Sequence, residues 1–389
     1  MQKKKLLIIV PTFDSGGTST SLMNFVSQID KEKYDVSVYA INNEGSTRDF
    51  VAKHAHVIGY STSKEPGSIS FAKRLYRCLF GFVKSSKKVI KKYGVDISPF
   101  LFRLVANKLD KGDYDFIISF QEGHATLLAS YFKHGKKIAW VRAEYKRYLE
   151  KANKKPEKNI YAKFDKIINV SKAASANFLS CLPMFKDRAH VIYNIINSDR
   201  ILSMSKEKVE DIPFGQSFTI ISVGRIDPVK RFSQIPLIAQ ELDSAGISFK
   251  WLIIGGVAVK EENELLLRNI GFYHQEKNVI CLGKRANPYP YILKSDLLVC
   301  LSSSETFNNT LTEAKILGVP VVTTNFPAAS ESINYDVEGW VEPIEKLSAR
   351  MISVLTNKEC LSHVKRYLSS YKHDNSSNFN TLYNEVLNG

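Results

Sequence analysis

The chain has 389 residues, 44% of them hydrophobic and 24% charged, a globular balance that excludes a disordered polypeptide and leaves room for two domains with separate cores. Its net charge of +15 is uneven: residues 1–200 carry 35 Lys and Arg against 18 Asp and Glu, a net +17, and the rest 19 against 21, a net −2. The first half therefore suits an anionic partner, whether a lipid surface, a phosphate-bearing acceptor or nucleic acid. Five scattered cysteines without Cys-x-x-Cys spacing exclude a disulfide framework or a zinc site and fit a reducing compartment.

The basic start Lys3-Lys4-Lys5 followed by Leu6–Val10 imitates a secretory signal, but the apolar run is short and stops at Pro11, so it reads as a first buried strand. No later run approaches the ~18 apolar residues of a membrane span. The expectation is a cytoplasmic protein, peripheral on the inner face of the membrane at most.

Strand-like runs then alternate with helical patterns, as in βαβ units of a parallel sheet. In the first half the runs are 6–11, 36–41, 116–120, 138–141 and 166–170. In the second they are 218–223, 250–254, 279–282, 296–301 and 319–323. The polar, strand-poor stretch between the sets divides the chain into an N-terminal domain 1–198, a linker 199–216, a C-terminal domain 217–365 and a terminal helix 366–389 that crosses back to the first domain.

Several strand ends carry chemistry. After the first strand, Gly16-Gly17 is either a plain turn or a place where backbone amides approach a bound group. The segment Phe71–Lys92 sets apolar residues at helical spacing inside a basic surround, which fits an amphipathic helix lying on anionic lipid or an outer helix packed on the sheet. Asp113-Tyr114-Asp115 has metal-site spacing but precedes its strand, away from the ligand edge. Glu122 and His124 follow the strand at 116–120, and Arg142 follows the one at 138–141. In the second half, Gly224-Arg225-Ile226-Asp227-Pro228-Val229-Lys230 places a planar fork and a point cation after a strand, a pair suited to a diphosphate. Lys284 and Arg285 follow Gly283 on another strand-end loop.

The last motif runs Ser303-Ser304-Glu305-Thr306-Phe307-Asn308-Asn309-Thr310-Leu311-Thr312-Glu313, followed by Gly318-Val319-Pro320-Val321-Val322. Glu305 sits at the end of a buried strand and Glu313 lies one to two turns inside the next helix. Between them the amides of Phe307–Thr310 form a helix N-terminus suited to phosphate. The Glu-x7-Glu pair, the Gly-Arg-x-x-x-x-Lys loop before it and the Gly-x-Pro-Val-Val strand behind it resemble the retaining family 4 glycosyltransferases of the GT-B fold.

That resemblance implies two Rossmann-like domains with parallel sheets facing a central cleft, and a metal-free, cofactor-free transfer of a hexose from a nucleotide diphosphate sugar, UDP-linked, to a hydroxyl. It implies that Arg225 and Lys230 neutralise the departing diphosphate, that Glu305 holds the sugar hydroxyls and that Glu313 holds the ribose. Gly16 and Gly17 then face the donor phosphates, Lys284 and Arg285 the base, and Glu122 and His124 the acceptor side. Similar enzymes often carry histidine at Arg142. A guanidinium is no base at neutral pH, so Arg142 either meets an anionic group or marks a different arrangement. Thr306 stands where glycine is common, and Phe326–Glu331 lacks the family's glycines, so the donor sugar is not carried over. The implied acceptor is a lipid-linked saccharide or polysaccharide of cell-surface biosynthesis. The rival readings are a nucleotide-sugar epimerase on the same fold and a basic nucleic-acid-binding protein, the latter without any nucleic-acid motif to support it.

Overall fold

The computed structural model describes residues 2–14, 16–58, 98–212, 214–215 and 217–388; the amphipathic segment Phe71–Lys92 lies outside them. The chain forms two compact units, Met1–Ile195 with Asn375–Gly389, and Ile196–Asp374.

The first unit is a parallel sheet of seven strands: β1 (Lys4–Thr12), β2 (Tyr34–Asn42), β3 (His56–Ile58), β4 (Phe116–Ser119), β5 (Lys136–Val141), β6 (Lys166–Asn169) and β7 (Ala189–Val191), in the order β3-β2-β1-β4-β5-β6-β7. Leu6–Val10 are all buried, because helices cover both faces of such a sheet and every side chain of a central strand faces a core. On one face Leu7, Ile9, Ile117, Val141 and Ile167 pack with Leu128, Tyr161 and Phe178 from the covering helices.

The second unit has six parallel strands: β8 (Phe218–Val223), β9 (Phe249–Ile254), β10 (Val279–Gly283), β11 (Leu297–Cys300), β12 (Val321–Thr324) and β13 (Gly339–Glu342), in the order β10-β9-β8-β11-β12-β13. Trp251, Ile253, Val299, Val322 and Trp340 form its core with Ile238, Leu266 and Met351. One polar bridge runs through it: Trp251 Nε1 donates to Ser222 Oγ at 3.1 Å, and Ser222 Oγ donates to the Val299 carbonyl at 2.7 Å. Each buried polar atom of that bridge thereby has a partner.

In both sheets the strand order reverses once, between β1 and β4 and between β8 and β11. Open α/β sheets bind ligands in the crevice outside the carboxyl ends of the strands at such a reversal. The Gly16-Gly17 and Glu122–His124 loops leave the first reversal, and the Arg225–Lys230 and Ser302–Glu305 loops leave the second.

Two boundaries differ from expectation. The units divide at Ile195/Ile196, not within 199–216. The helix Ser198–Met204, capped by Asn197 Oδ1 on the Arg200 amide at 3.0 Å, packs on the helices Tyr289–Leu293 and Asn309–Ile316 of the second unit. Its polar residues read as linker because their partners lie far along the chain. Likewise the helix Lys358–Ser369 buries Leu361, Val364 and Leu368 in the second core, so only Asn375–Gly389 belongs to the first unit. There the Asp30 amide donates to Tyr383 Oη at 3.0 Å, and the Tyr383 ring stacks on Tyr34 with centroids 5.5 Å apart.

Glycine is required where the ends of β8 and β9 meet: a Cβ on Gly255 would lie 1.7 Å from the Gly224 carbonyl oxygen. At Gly16 and Gly17 an added Cβ meets nothing within 4 Å, and Gly16 has an extended φ of 166°. Gly255→Ala should therefore cost about 3 kcal/mol of stability, whereas Gly16→Ala should cost less than about 1 kcal/mol; urea unfolding of the two variants checks the contrast.

Candidate functional site

In the second unit the site grows from the β8–β11 reversal. Asp227 Oδ1 accepts the amides of Val229 (3.0 Å) and Lys230 (3.2 Å), an Asx turn that sets the loop after β8. The Val229 carbonyl accepts the Ser303 amide at 2.8 Å, which ties that loop to the one after β11. Thr324 Oγ1 donates to the Ser302 carbonyl at 2.5 Å and anchors the second loop to β12. Gly224 leaves room for Lys230, whose Cε would lie 3.2 Å from a Cβ there.

Across this junction Lys230 Nζ donates to Glu305 Oε1, and both side chains are largely buried. Ser302 Oγ donates to the same oxygen at 2.8 Å. Among the described residues no hydrogen bond reaches Glu305 Oε2. One oxygen is thus fixed by the protein and the other is left for a ligand donor. Burial pushes the Lys230 ammonium's pKa down, but the adjacent Glu305 carboxylate outweighs it and holds the value above that of an ordinary lysine. Arg225 differs: its side chain is 72% exposed, and among the described residues its one ion pair is with Asp227, at 3.6 Å. A cation so loosely held is placed to gather a mobile anion.

Glu313, on the helix Asn309–Ile316, is 6% exposed. Its Oε1 accepts from Tyr289 Oη at 3.3 Å. Burial raises its pKa from 4.5 to about 7, against the Tyr289 hydrogen bond and the Arg200 charge, which lower it.

Other expected residues have specific local duties. Asn308 is the helix cap: its Oδ1 accepts the Thr310 amide at 3.1 Å and its Nδ2 donates to Cys300 Sγ at 3.2 Å. The Thr310 amide is therefore occupied, which corrects the expectation of a run of free amides over Phe307–Thr310. Phe307 and Asn309 flank the cap and are half-buried. The side chain of Arg285 is bound to Asp211 (2.9 Å) and to Tyr291 Oη (3.2 Å), while Lys284 beside it is exposed.

In the first unit Glu122 is buried, and its Oε2 accepts the amides of Arg142 (3.0 Å) and Ala143 (3.2 Å). That is the duty of a loop brace. Arg142 donates from Nε to the Phe120 carbonyl (2.9 Å) and from Nη1 to Asn194 Oδ1 (2.7 Å), with its guanidinium 3.8 Å from the Phe120 ring centroid. Burial lowers its pKa to about 9, and the Glu122 charge opposes the fall, so the group stays cationic at neutral pH and cannot serve as a base. His124 opens the helix His124–Ala129, is exposed and lies 5.5 Å from the Phe102 ring. Gly16 caps the helix Gly17–Gln28 without a side chain. Asp115 Oδ2 accepts the Lys5 amide at 2.7 Å at the amino end of β4, away from the ligand edge. Among the described residues no three His, Cys, Asp or Glu side chains gather as metal ligands.

Sequence reasoning missed Ser302, Tyr289, Arg200 and Asn194. Ser302 adjoins the Glu305 motif and Asp227-Pro228 is turn chemistry in plain view, but Arg200 and Asn194 join their clusters only through the fold.

A family model described as Glycosyltransferase Family 4 matches residues 15–200, and one described as Glycosyl transferases group 1 matches residues 204–370. The capsular polysaccharide biosynthesis glycosyltransferase CapM of Staphylococcus aureus is 29% identical over 149 residues, 37% of this chain and 38% of its own. An uncharacterized glycosyltransferase of Methanocaldococcus jannaschii is 25% identical over 143 residues, 36% of this chain and 34% of its own. The matched stretches span little more than a third of either relative. Anabaena HepE, solved in complex with UDP, aligns over 99% of this chain and 100% of its own with a TM-score of 0.71 and 16% identity, a likeness of fold.

The position of Glu313 has a thermodynamic signature. Between pH 4.5 and about 7 the folded state holds a proton on this carboxyl that the unfolded state has lost, so stability falls as pH rises through that window and is flat above it. Relative to Glu313→Gln, the wild-type chain should lose up to about 3 kcal/mol between pH 4.5 and 8, read from urea unfolding across the range.

Proposed function

We propose that this chain, which belongs to the glycosyl transferases group 1 and has the GT-B fold, transfers a hexose from a UDP-sugar to an acceptor hydroxyl with retention at the anomeric carbon and without a metal. The observation that carries this reading is Glu305: one carboxylate oxygen held by Lys230 and Ser302, the other without a partner among the described residues, at a sheet reversal beside an exposed Arg225. HepE, whose fold this chain shares, is solved with UDP and also with UDP-glucose, which supports a uridine donor here.

The donor lies on the second unit. Glu305 Oε2 accepts from a sugar hydroxyl, Glu313 accepts from the ribose, and the loop at Lys284 and Arg285 meets the base. Arg225 and Lys230 take the diphosphate, aided by the helix N-terminus near Asn309. When the bond between the anomeric carbon and the diphosphate oxygen breaks, these cations stabilise the charge that develops on the leaving group, the task a metal performs in other enzymes. A new bond from the acceptor oxygen to the anomeric carbon forms on the same face of the sugar, and the acceptor's proton passes to the departing phosphate oxygen. No protein base is needed, in keeping with an arginine at position 142.

The first unit takes the acceptor, with Arg142 and Asn194 at the carboxyl ends of its strands and His124 exposed nearby. Arg142 stays charged and suits an anionic acceptor such as a lipid-linked diphosphate saccharide. The net +17 of residues 1–200 and the name of CapM both support an acceptor of surface polysaccharide synthesis at the inner face of the membrane. No helix among the described residues is long and apolar enough to cross a membrane.

Glu305→Ala should reduce transfer from UDP-sugars by at least ~100-fold, the scale of losing a transition-state contact, while the variant keeps a cooperative unfolding transition. Turnover near that of the wild-type chain would remove Glu305 from the site. Arg225→Ala should weaken UDP binding by about tenfold, the value of one charge-assisted contact; titration calorimetry reads it, and unchanged affinity would take Arg225 off the diphosphate.

A further inference from the structure

The Glu313 carboxylate is approached from two other elements of its unit. Tyr289, at the start of the helix Tyr289–Leu293, is 5% exposed and donates from Oη to Glu313 Oε1 at 3.3 Å. Arg200 lies on the helix Ser198–Met204, which packs on the helices of both Tyr289 and Glu313, and its charge acts on both side chains. An ionised carboxyl only accepts, so the phenol gives its hydrogen to Glu313. Among the described residues no hydrogen bond reaches Glu313 Oε2. The carboxylate is therefore held by one oxygen, as Glu305 is by Lys230 and Ser302.

We propose that Tyr289 and Arg200 are positioning residues for nucleotide recognition: Tyr289 holds the Glu313 carboxylate by Oε1, and the nearby Arg200 charge favours its ionised form, so that Oε2 receives the ribose hydroxyls of the donor. This inference rests on the proposed role of Glu313 and adds the residues that enable it. Tyr289 fixes the rotamer of the carboxylate, and the Arg200 cation favours its charged form. Without them a carboxyl buried this deeply stays protonated and offers the ribose a single competing hydrogen in place of an acceptor pair.

The elements packed on Glu313 hold few other charges that bear on it. On its own helix Lys315 turns away, with Nζ donating to Glu338 (3.0 Å) and to the Ser332 carbonyl (2.7 Å). On the helix Tyr289–Leu293 the other phenol, Tyr291, faces Asp211. On the helix Ser198–Met204, Asp199 is exposed. Of the strands beneath, β11 contributes Cys300, which bonds Ser302 and Asn308, and β12 has no titratable side chain.

The test compares affinity for UDP and for 2′-deoxy-UDP by calorimetry from pH 5.5 to 8.5, on the full chain and on Tyr289→Phe and Arg200→Met. The wild-type chain should prefer UDP, with a ratio that grows as pH passes about 7 and Glu313 ionises. Each variant should cut that ratio about fivefold or more, the scale of one hydrogen bond, and move its pH midpoint upward, because a carboxylate that loses a donor or a nearby cation is harder to ionise. A variant that merely loosens the fold would weaken UDP and 2′-deoxy-UDP equally. If the wild-type chain binds UDP with no preference at any pH, the ribose role of Glu313 fails and this inference with it. If the preference exists and both variants keep its size and midpoint, Glu313 keeps its role and the positioning by Arg200 and Tyr289 is overturned. Arg200→Met, at a half-buried position, decides the matter should Tyr289→Phe fail to fold.

Discussion

Lys230 and Glu305 face each other where two loops leave the middle of a parallel sheet, and neither charge would be stable there alone. Burial works against each ion, and their mutual attraction with the Ser302 hydroxyl offsets it. The pair therefore fixes the geometry between the ends of β8 and β11. It works with the Ser303–Val229 backbone bond and the Asp227 turn, so the loop of cations and the loop of the carboxylate form one unit. An ammonium has three hydrogens, and the pair uses one of them. What holds the site together thus also leaves it chemically competent.

Three buried carboxylates, Glu122, Glu338 and Glu313, show how the same group serves different ends. Glu122 accepts two backbone amides and braces the start of the loop after β5. Glu338 is neutralised by Lys315, with the Tyr371 ring 5.1 Å from the ammonium. Among the described residues Glu313 has no ion pair of that closeness, only a phenol and the charge of Arg200, so burial raises its pKa. Of these three carboxylates, the one whose charge is least compensated is the better candidate for a ligand, since the ligand then supplies what the fold withholds.

The interior strands were legible because a parallel strand covered on both faces needs consecutive apolar residues, as in Leu6–Val10 and Leu297–Cys300. The strands β3, β7 and β13 escaped notice. They are three or four residues long and lie at sheet edges, where half the burial is missing and no periodicity develops. Site residues that follow a strand were legible for the same reason as the strands: Arg225, Lys230 and Glu305 stand just beyond apolar runs. Local hydrogen bonding was not. The cap made by Asn308 and the loop brace made by Glu122 show only in the fold. Arg200 was hidden because its partners, Tyr289 and Glu313, lie about ninety and more than a hundred positions later. The unit boundaries slipped for a related cause, since the polar residues of 199–212 find their partners in a domain whose strands come afterwards.

The return of Asn375–Gly389 to the first unit bears on how the chain acquires its structure during synthesis. The first sheet emerges complete by Ile195, yet Tyr34 and the Asp30 amide still lack the Tyr383 side chain. That side chain is made only after the whole of the second unit. Domains generally fold as they leave the ribosome, so the first unit must persist for nearly two hundred residues of translation with an apolar seam uncovered. The closing segment then works as a latch, and a ribosome that stalls in the second unit would release a first unit with its seam still open.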